Sequence, residues 1–340
     1  MNREERIRAV MEEREVDRLP VSVWMHMSEH DQDARSLAEA MSEFNEKYDY
    51  DFIKMMPFGA YTTPDWGAKL KIFCDKYKEV EIIEPGISCP DEYEQLEVLA
   101  PCHGSWGRTL QLAQWMARYV KPNTPYMQTI FSPATTLRKL AGNRLLSDML
   151  EHPKKVHYAL EIITQTTIDF VKANIEAGVS GFFFATQLAN YDLLNDGLYA
   201  EFCAPYDLRV IASYQQKTWF NVVHIHGRNI MFDTLEKYPI PILNWHDRQT
   251  EPDFENARKK TEKIFMGGLK EGPSIVGTAL KYDSIMSSEG MTPERIKEHI
   301  REAIQAAGGK KLIVAPGCVA DPRSPEEMLR AVRMAVENEQ

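Results

Sequence analysis

Hydrophobic and polar positions along the chain fall into two alternating patterns. Short runs dense in apolar, β-branched and aromatic residues recur eight times, at 19–25 (LPVSVWM), 51–56 (DFIKMM), 126–131 (YMQTIF), 181–185 (GFFFA), 219–224 (WFNVVH), 241–245 (PILNW), 263–267 (KIFMG) and 311–315 (KLIVA). Several are apolar nearly throughout, as parallel strands covered on both faces have to be. Between them, apolar positions three and four apart predict helices over 36–48, 153–177, 199–217, 229–237, 251–261, 292–307 and 324–338. The last opens on Ser324-Pro325-Glu326-Glu327, where serine can cap, proline suits the first turn and glutamate complements the positive helix end. Eight strands alternating with helices predict an α/β fold, a (β/α)8 TIM barrel built as one domain over residues 1–340.

One interval breaks the even spacing. The stretch 57–123, between the second and third runs, is too long for a bare loop and carries its own patterns. Residues 69–83 (KLKIFCDKYKEVEII) read as two short strands around Asp75-Lys76, and 109–120 as a helix. The expectation is a lid-like insertion at the barrel mouth, where loops of this architecture grow.

Composition narrows the function. The formal net charge of -10 is spread over mixed acidic and basic helices, which gives nucleic acid no electrostatic footprint. The N-terminus, MNREERIRAVMEERE, is charged and helical in pattern, and no apolar run approaches a membrane span, so a cytoplasmic protein is expected. The five cysteines are odd in number and sparse, which favours reduced thiols over a disulfide framework. No G-x-G-x-x-G opens a helix, so a nucleotide cofactor is not expected.

The chemistry concentrates at predicted strand ends. The fifth run leads into His224-Ile225-His226-Gly227, two imidazoles two residues apart on an extended segment and therefore on one side of it. The eighth leads into Pro316-Gly317-Cys318, which brings a thiol to the same end of the barrel. Three such ligands with one position open suit a catalytic zinc ion. The competing reading is that both histidines bond to loop backbone and Cys318 is a small packed residue. Asp247, after the sixth run, is a candidate acid or base, or an orienter of a metal-bound histidine, and equally a loop cap. Tyr61, Trp66 and Trp106 in the insertion could stack on a flat cofactor or form its core. Cys89, Cys102 and His103 have no spacing that suits a metal.

Several segments together resemble the uroporphyrinogen decarboxylase superfamily, which includes the methylcobamide:coenzyme M methyltransferases and related corrinoid methyltransferases. They are Tyr48-Asp49-Tyr50-Asp51-Phe52-Ile53-Lys54, Phe131-Ser132-Pro133-Ala134-Thr135-Thr136, 173–184 (ANIEAGVSGFFF), Glu201-Phe202-Cys203-Ala204-Pro205-Tyr206, His224-Ile225-His226-Gly227 and Ala315-Pro316-Gly317-Cys318. The true decarboxylases carry an R-Q-A-G-R segment after the first strand, where this chain reads Trp24-Met25-His26-Met27-Ser28-Glu29-His30. They also have an aspartate at the end of the second strand, where Met56-Pro57-Phe58 stands, and a late G-H pair that corresponds to Gly317-Cys318. Without those arginines the fork-like donors for a polyanionic tetrapyrrole are missing.

The methyltransferase branch is similar in binding zinc through an H-x-C pair after strand five and a cysteine after strand eight. His224 and Cys318 match that pattern, and His226 replaces the first cysteine. The resemblance implies a zinc-dependent methyltransferase that moves a methyl group between a corrinoid, free or on a partner protein, and a small molecule. A homodimer is implied only by analogy. Decarboxylation of a pyrrolic acid and non-catalytic corrinoid or tetrapyrrole carriage are the other readings.

Overall fold

The structure, a computed structural model, describes residues 1–73, 75–271 and 284–337. Helices α1 (Arg3–Met11) and α2 (Ala34–Tyr48) lead to a two-residue strand, β1 (Ile53–Lys54). A small hairpin, β2 (Lys69–Lys71) and β3 (Glu81–Glu84), and helix α3 (Gly104–Tyr119) follow. Then come β4 (Tyr126–Phe131), α4 (Pro133–Ala141), α5 (Arg144–Glu151), α6 (Pro153–Glu176), β5 (Gly181–Thr186), α7 (Asp196–Phe202), α8 (Ala204–Ala212) and β6 (Val222–Ile225). The chain continues through α9 (Phe232–Leu235), β7 (Ile242–Trp245), α10 (Phe254–Arg258), β8 (Ile264–Leu269), α11 (Pro293–Ala306), β9 (Leu312–Pro316) and α12 (Glu326–Met334).

Seven strands form one curled parallel sheet in the order β1-β4-β5-β6-β7-β8-β9, and every strand residue in it is buried. Helical crossovers cover the outside and the strands' own side chains fill the inside, which is why runs such as GFFFA have no polar face. The two outer edges converge on residues 20–22. Ser22 N–H donates to Val314 O (3.0 Å), Val314 N–H to Pro20 O (2.8 Å) and Asp51 N–H to Val21 O (2.8 Å). This segment stands between β9 and β1 as an eighth stave, giving a barrel-like closure.

That stave is far shorter than the seven-residue strand predicted over 19–25, with one bridge, Val21 to Val314. Pro20 has no N–H to donate, and the Val21 N–H goes to a side chain, Asp51 Oδ2 (2.8 Å), rather than to a strand partner. The same fully buried carboxylate accepts from Arg6 (2.6 Å) and twice from Arg18 (2.6 and 3.0 Å). Asp51 therefore ties α1, the stave and the start of β1 together.

Other departures have local causes. The predicted helix 199–217 divides at Cys203 into α7 and α8, because Pro205 cannot donate to the preceding turn. Helices α4 and α5 were not anticipated. The first is started by Ser132, whose hydroxyl accepts from Thr135 N–H, with Pro133 at its first turn.

Within 57–123 the hairpin forms as expected, around a turn in which Asp75 accepts from Tyr77 and Lys78. Helix α3 begins five residues earlier than predicted because Asp65, distant in sequence, accepts from the amides of Ser105 (2.8 Å) and Trp106 (3.2 Å). Gly104 is required there: its φ is +44° and a Cβ would lie 1.9 Å from Asp65 Oδ1. Among the described residues no helix is long and apolar enough to cross a membrane.

Candidate metal centre

The ends of strands β6, β7 and β9, with β8 lying between the last two, supply the chemistry. His224 lies in β6, and its Nδ1 is 2.6 Å from Asn244 Oδ1 in β7. The Asn244 amide nitrogen donates to two backbone carbonyls, Met266 O (2.7 Å) and Pro316 O (3.0 Å). Its oxygen must therefore face the imidazole, so His224 carries its proton on Nδ1 and keeps a lone pair on Nε2. His246, the residue after β7, is fixed in the same sense: its Nδ1 bonds to the buried carboxylate of Glu271, beyond β8. His246 Nε2 is thereby left free as a ligand.

The free nitrogens converge with two further groups. His226, just past β6, places Nδ1 3.1 Å from His246 Nε2. Cys318, two residues past β9, places Sγ 3.8 Å from the same His226 Nδ1. One ligand atom from each of His224, His226, His246 and Cys318 lies within 4.8 Å of all the others. Tetrahedral zinc, with Zn–N about 2.0–2.1 Å and Zn–S about 2.3 Å, sets neighbouring ligand atoms roughly 3.3–3.6 Å apart. The 3.1 and 3.8 Å separations bracket that spacing, the others are at most 4.8 Å, and the donor set of imidazoles and a thiol suits zinc.

The protonation states leave nitrogen donors open for a metal. Burial, then repulsion from the neighbouring rings, holds His224 below the usual histidine range. Burial and His246 bring His226 down to about 3. Both rings are neutral at ordinary pH and their lone pairs are available. Burial, reinforced by Glu271, pushes the Cys318 thiol up to about 12, so its proton has to leave when a metal binds.

The cluster forms one wall of a cavity of about 400 Å³. His224, His226 and Cys318 line it, with Trp24, Phe131, Phe183 and Met56 as apolar wall and Lys54, Lys139, His26 and Glu79 as polar groups. His246 stands behind, on Glu271.

The other candidates from the sequence lie elsewhere. Asp247 follows His246 but faces away from the cavity lining, and both its oxygens accept from Gly268 N–H at 3.1 Å. Burial, then Glu271, raises its carboxyl well above the usual range. Gly267 makes room for it, since a Cβ there would be 2.4 Å from Asp247 Oδ1. Tyr61, Trp66 and Trp106 pack on one another, with Trp106 edge-on to both partners and to Phe170. Tyr61 donates to Thr129 O and Trp66 to Glu97 O, and none of the three lines the cavity. Cys89 and Cys102 are exposed and apart from the cluster, and Cys74 lies outside the described residues.

Sequence reasoning missed His246, Asn244, Glu271 and Lys54. The available signal was position: His246 and Asn244 flank the end of a strand adjacent to the one carrying His224 and His226. Lys54 is a lone amine in an apolar strand run.

Comparison with known proteins bears on the fold and the family. The chain is 18% identical over 265 residues to the methylcobamide:CoM methyltransferase MtbA of Methanosarcina acetivorans, covering 78% of this chain and 73% of the relative. It is 24% identical over 216 residues to MtaA of Methanosarcina barkeri, of the same description, covering 63% of this chain and 58% of that protein. Among solved structures, a methyltransferase from Methanosarcina mazei superposes over 98% of both chains with TM-score 0.82 and 17% identity. A B12-independent methionine synthase from Shewanella sp. W3-18-1 superposes over 94% of both with TM-score 0.58 and 14% identity. The family model for uroporphyrinogen decarboxylase (URO-D) matches residues 2–339, and the chain belongs to that family.

Proposed function

We propose that this protein is a zinc-dependent methyltransferase that moves a methyl group between a corrinoid and a small acceptor or donor bound in the cavity. The observation that carries the reading is the convergence of His224, His226, His246 and Cys318 on one point of the cavity wall. Two relatives described as methylcobamide:CoM methyltransferases support the methyl and corrinoid parts of it.

Held by His224, His226 and Cys318, the three members of the cluster that line the cavity, zinc would keep a position open to the small substrate and supply Lewis acidity toward its heteroatom. The chain's own part is to hold and orient. Asn244 and Glu271 fix the ring orientations and tautomers of His224 and His246, and Cys318 gives up a proton to become an anionic ligand. Trp24, Phe131 and Phe183 keep water away from the substrate. The cavity has the size of a small-molecule pocket, so the corrinoid, free or on a partner protein, meets the substrate at the mouth. Pro57, Gly59 and Glu79 bring the 57–123 insertion to the cavity wall, where it acts as a lid.

The test is metal content followed by turnover. Purified protein should carry about one zinc per chain, His224→Ala and Cys318→Ala should each lose it, and demethylation of methylcobalamin should require it. Metal-free wild-type protein, or full zinc retention by both variants, would sink the proposal.

A further inference from the structure

The cavity holds two amines that the metal reading leaves unused. Lys54, at the end of β1, is 5% exposed. Its Nζ lies 4.4 Å from the Phe183 ring centroid and 5.6 Å from that of Trp24. Its polar contact is Met56 Sδ, at 2.8 Å, and it forms no ion pair among the described residues. Lys139 of α4, half-buried, sets Nζ 4.6 Å from the Phe131 centroid and likewise forms no ion pair. Glu79 is the one carboxylate among the lining residues, and it is 3.4 Å from His26 Nε2. Its field reaches Lys139 and not Lys54.

A buried ammonium without a counter-charge is costly, and the cost appears as a loss of basicity. Burial brings Lys54 down to about 7 against the opposing pull of the Cys318 thiolate, and Lys139 to about 8 against that of Glu79. Aromatic faces offset part of that cost but do not neutralise a full charge. Neither amine is ion-paired among the described residues, and the same cavity is lined by the rings of Trp24, Phe131 and Phe183.

We propose that the small substrate is an arene carboxylate, its anionic end held by Lys54 and Lys139 and its ring lying among Trp24, Phe131 and Phe183. The role of this ligand as the methyl donor or acceptor rests on the proposed function. The anion subsite itself does not. A charge-assisted hydrogen bond in a dry cavity is stronger than a neutral one and discriminates between shapes that differ only in charge.

Calorimetric titration of wild-type protein with benzoate, benzamide and acetate tests this directly. Benzoate should bind at least about tenfold more tightly than neutral, isosteric benzamide and more tightly than acetate, which lacks the ring. Lys54→Met should abolish the preference for benzoate over benzamide while zinc content stays at the wild-type level, and Lys139→Met should weaken it. Equal affinity for benzoate and benzamide, no binding of either, or a preference that survives Lys54→Met overturns the anion subsite. Acetate binding as tightly as benzoate overturns the arene. Zinc loss in Lys54→Met together with loss of benzoate binding also overturns it, because the amine then serves the Cys318 thiolate. Should Lys54→Met fail to fold, Lys54→Gln reads the same outcomes. Absence of zinc from the wild type counts against the proposed function alone, since the benzoate preference can be measured on metal-free protein.

Discussion

At the scale of single residues, the site depends on side chains that touch no substrate. Asn244 makes three hydrogen bonds that together decide which nitrogen of His224 faces the cluster. Replacing it with leucine keeps the volume and removes all three. Zinc affinity of Asn244→Leu should fall about 10–100-fold, as read by competition with a chromogenic chelator, and an unchanged affinity would show that packing alone orients the ring. This dependence is also why the site was only partly legible. His224, His226 and Cys318 stood out because histidine and cysteine at strand ends are conspicuous by type. His246 is not distinguishable from its neighbour Asp247 in the sequence, because which of two adjacent residues turns toward the cluster depends on where β7 stops. Tyr61, Trp66 and Trp106 had the right chemistry for a flat ligand, but whether an aromatic side chain faces a cavity or a packed core is decided by tertiary contacts.

At the scale of elements, the break between α7 and α8 carries a buried acid. Asp207 is fully buried and accepts from Tyr199 (2.9 Å) and Tyr238 (3.0 Å), while its other oxygen has no partner. Burial raises its carboxyl to about 7, above the value of 3.8 for a free aspartate. The folded form therefore binds the proton more tightly than the unfolded form. The stability tied to it is fully present below about pH 4 and is lost as pH rises to about 7. Asp207→Asn, neutral at every pH, should flatten that slope and be more stable than wild type at pH 8 by on the order of 3 kcal/mol. Urea denaturation at pH 5 and pH 8 measures it, and equal pH dependence in both proteins would refute the assignment. Most elements were legible from periodicity, down to the β2–β3 hairpin. Helices α4 and α5 are not among them, although the Ser132-Pro133 start of α4 is local, and α3 was legible except for its first turn, which Asp65 caps from across the insertion.

At the scale of the whole molecule, the α/β alternation was readable throughout, but the way the sheet closes was not. A full first strand was expected, and the structure closes on residues 20–22 braced by Asp51. Asp51→Ala would leave Arg6 and Arg18 buried without their shared carboxylate and should cost about 3–5 kcal/mol, measured by chemical denaturation, whereas Glu4→Ala on the exposed face of α1 should cost little. The closure also has a consequence for the order of assembly. The stave precedes every other strand of the sheet in the chain and its partner β9 follows them all, so the sheet cannot close until β9 has been made. The strand that closes the sheet is also the one that leads into Cys318 and brings its thiol to His224, His226 and His246. On the proposed ligand set, metal capture is therefore a checkpoint on barrel closure.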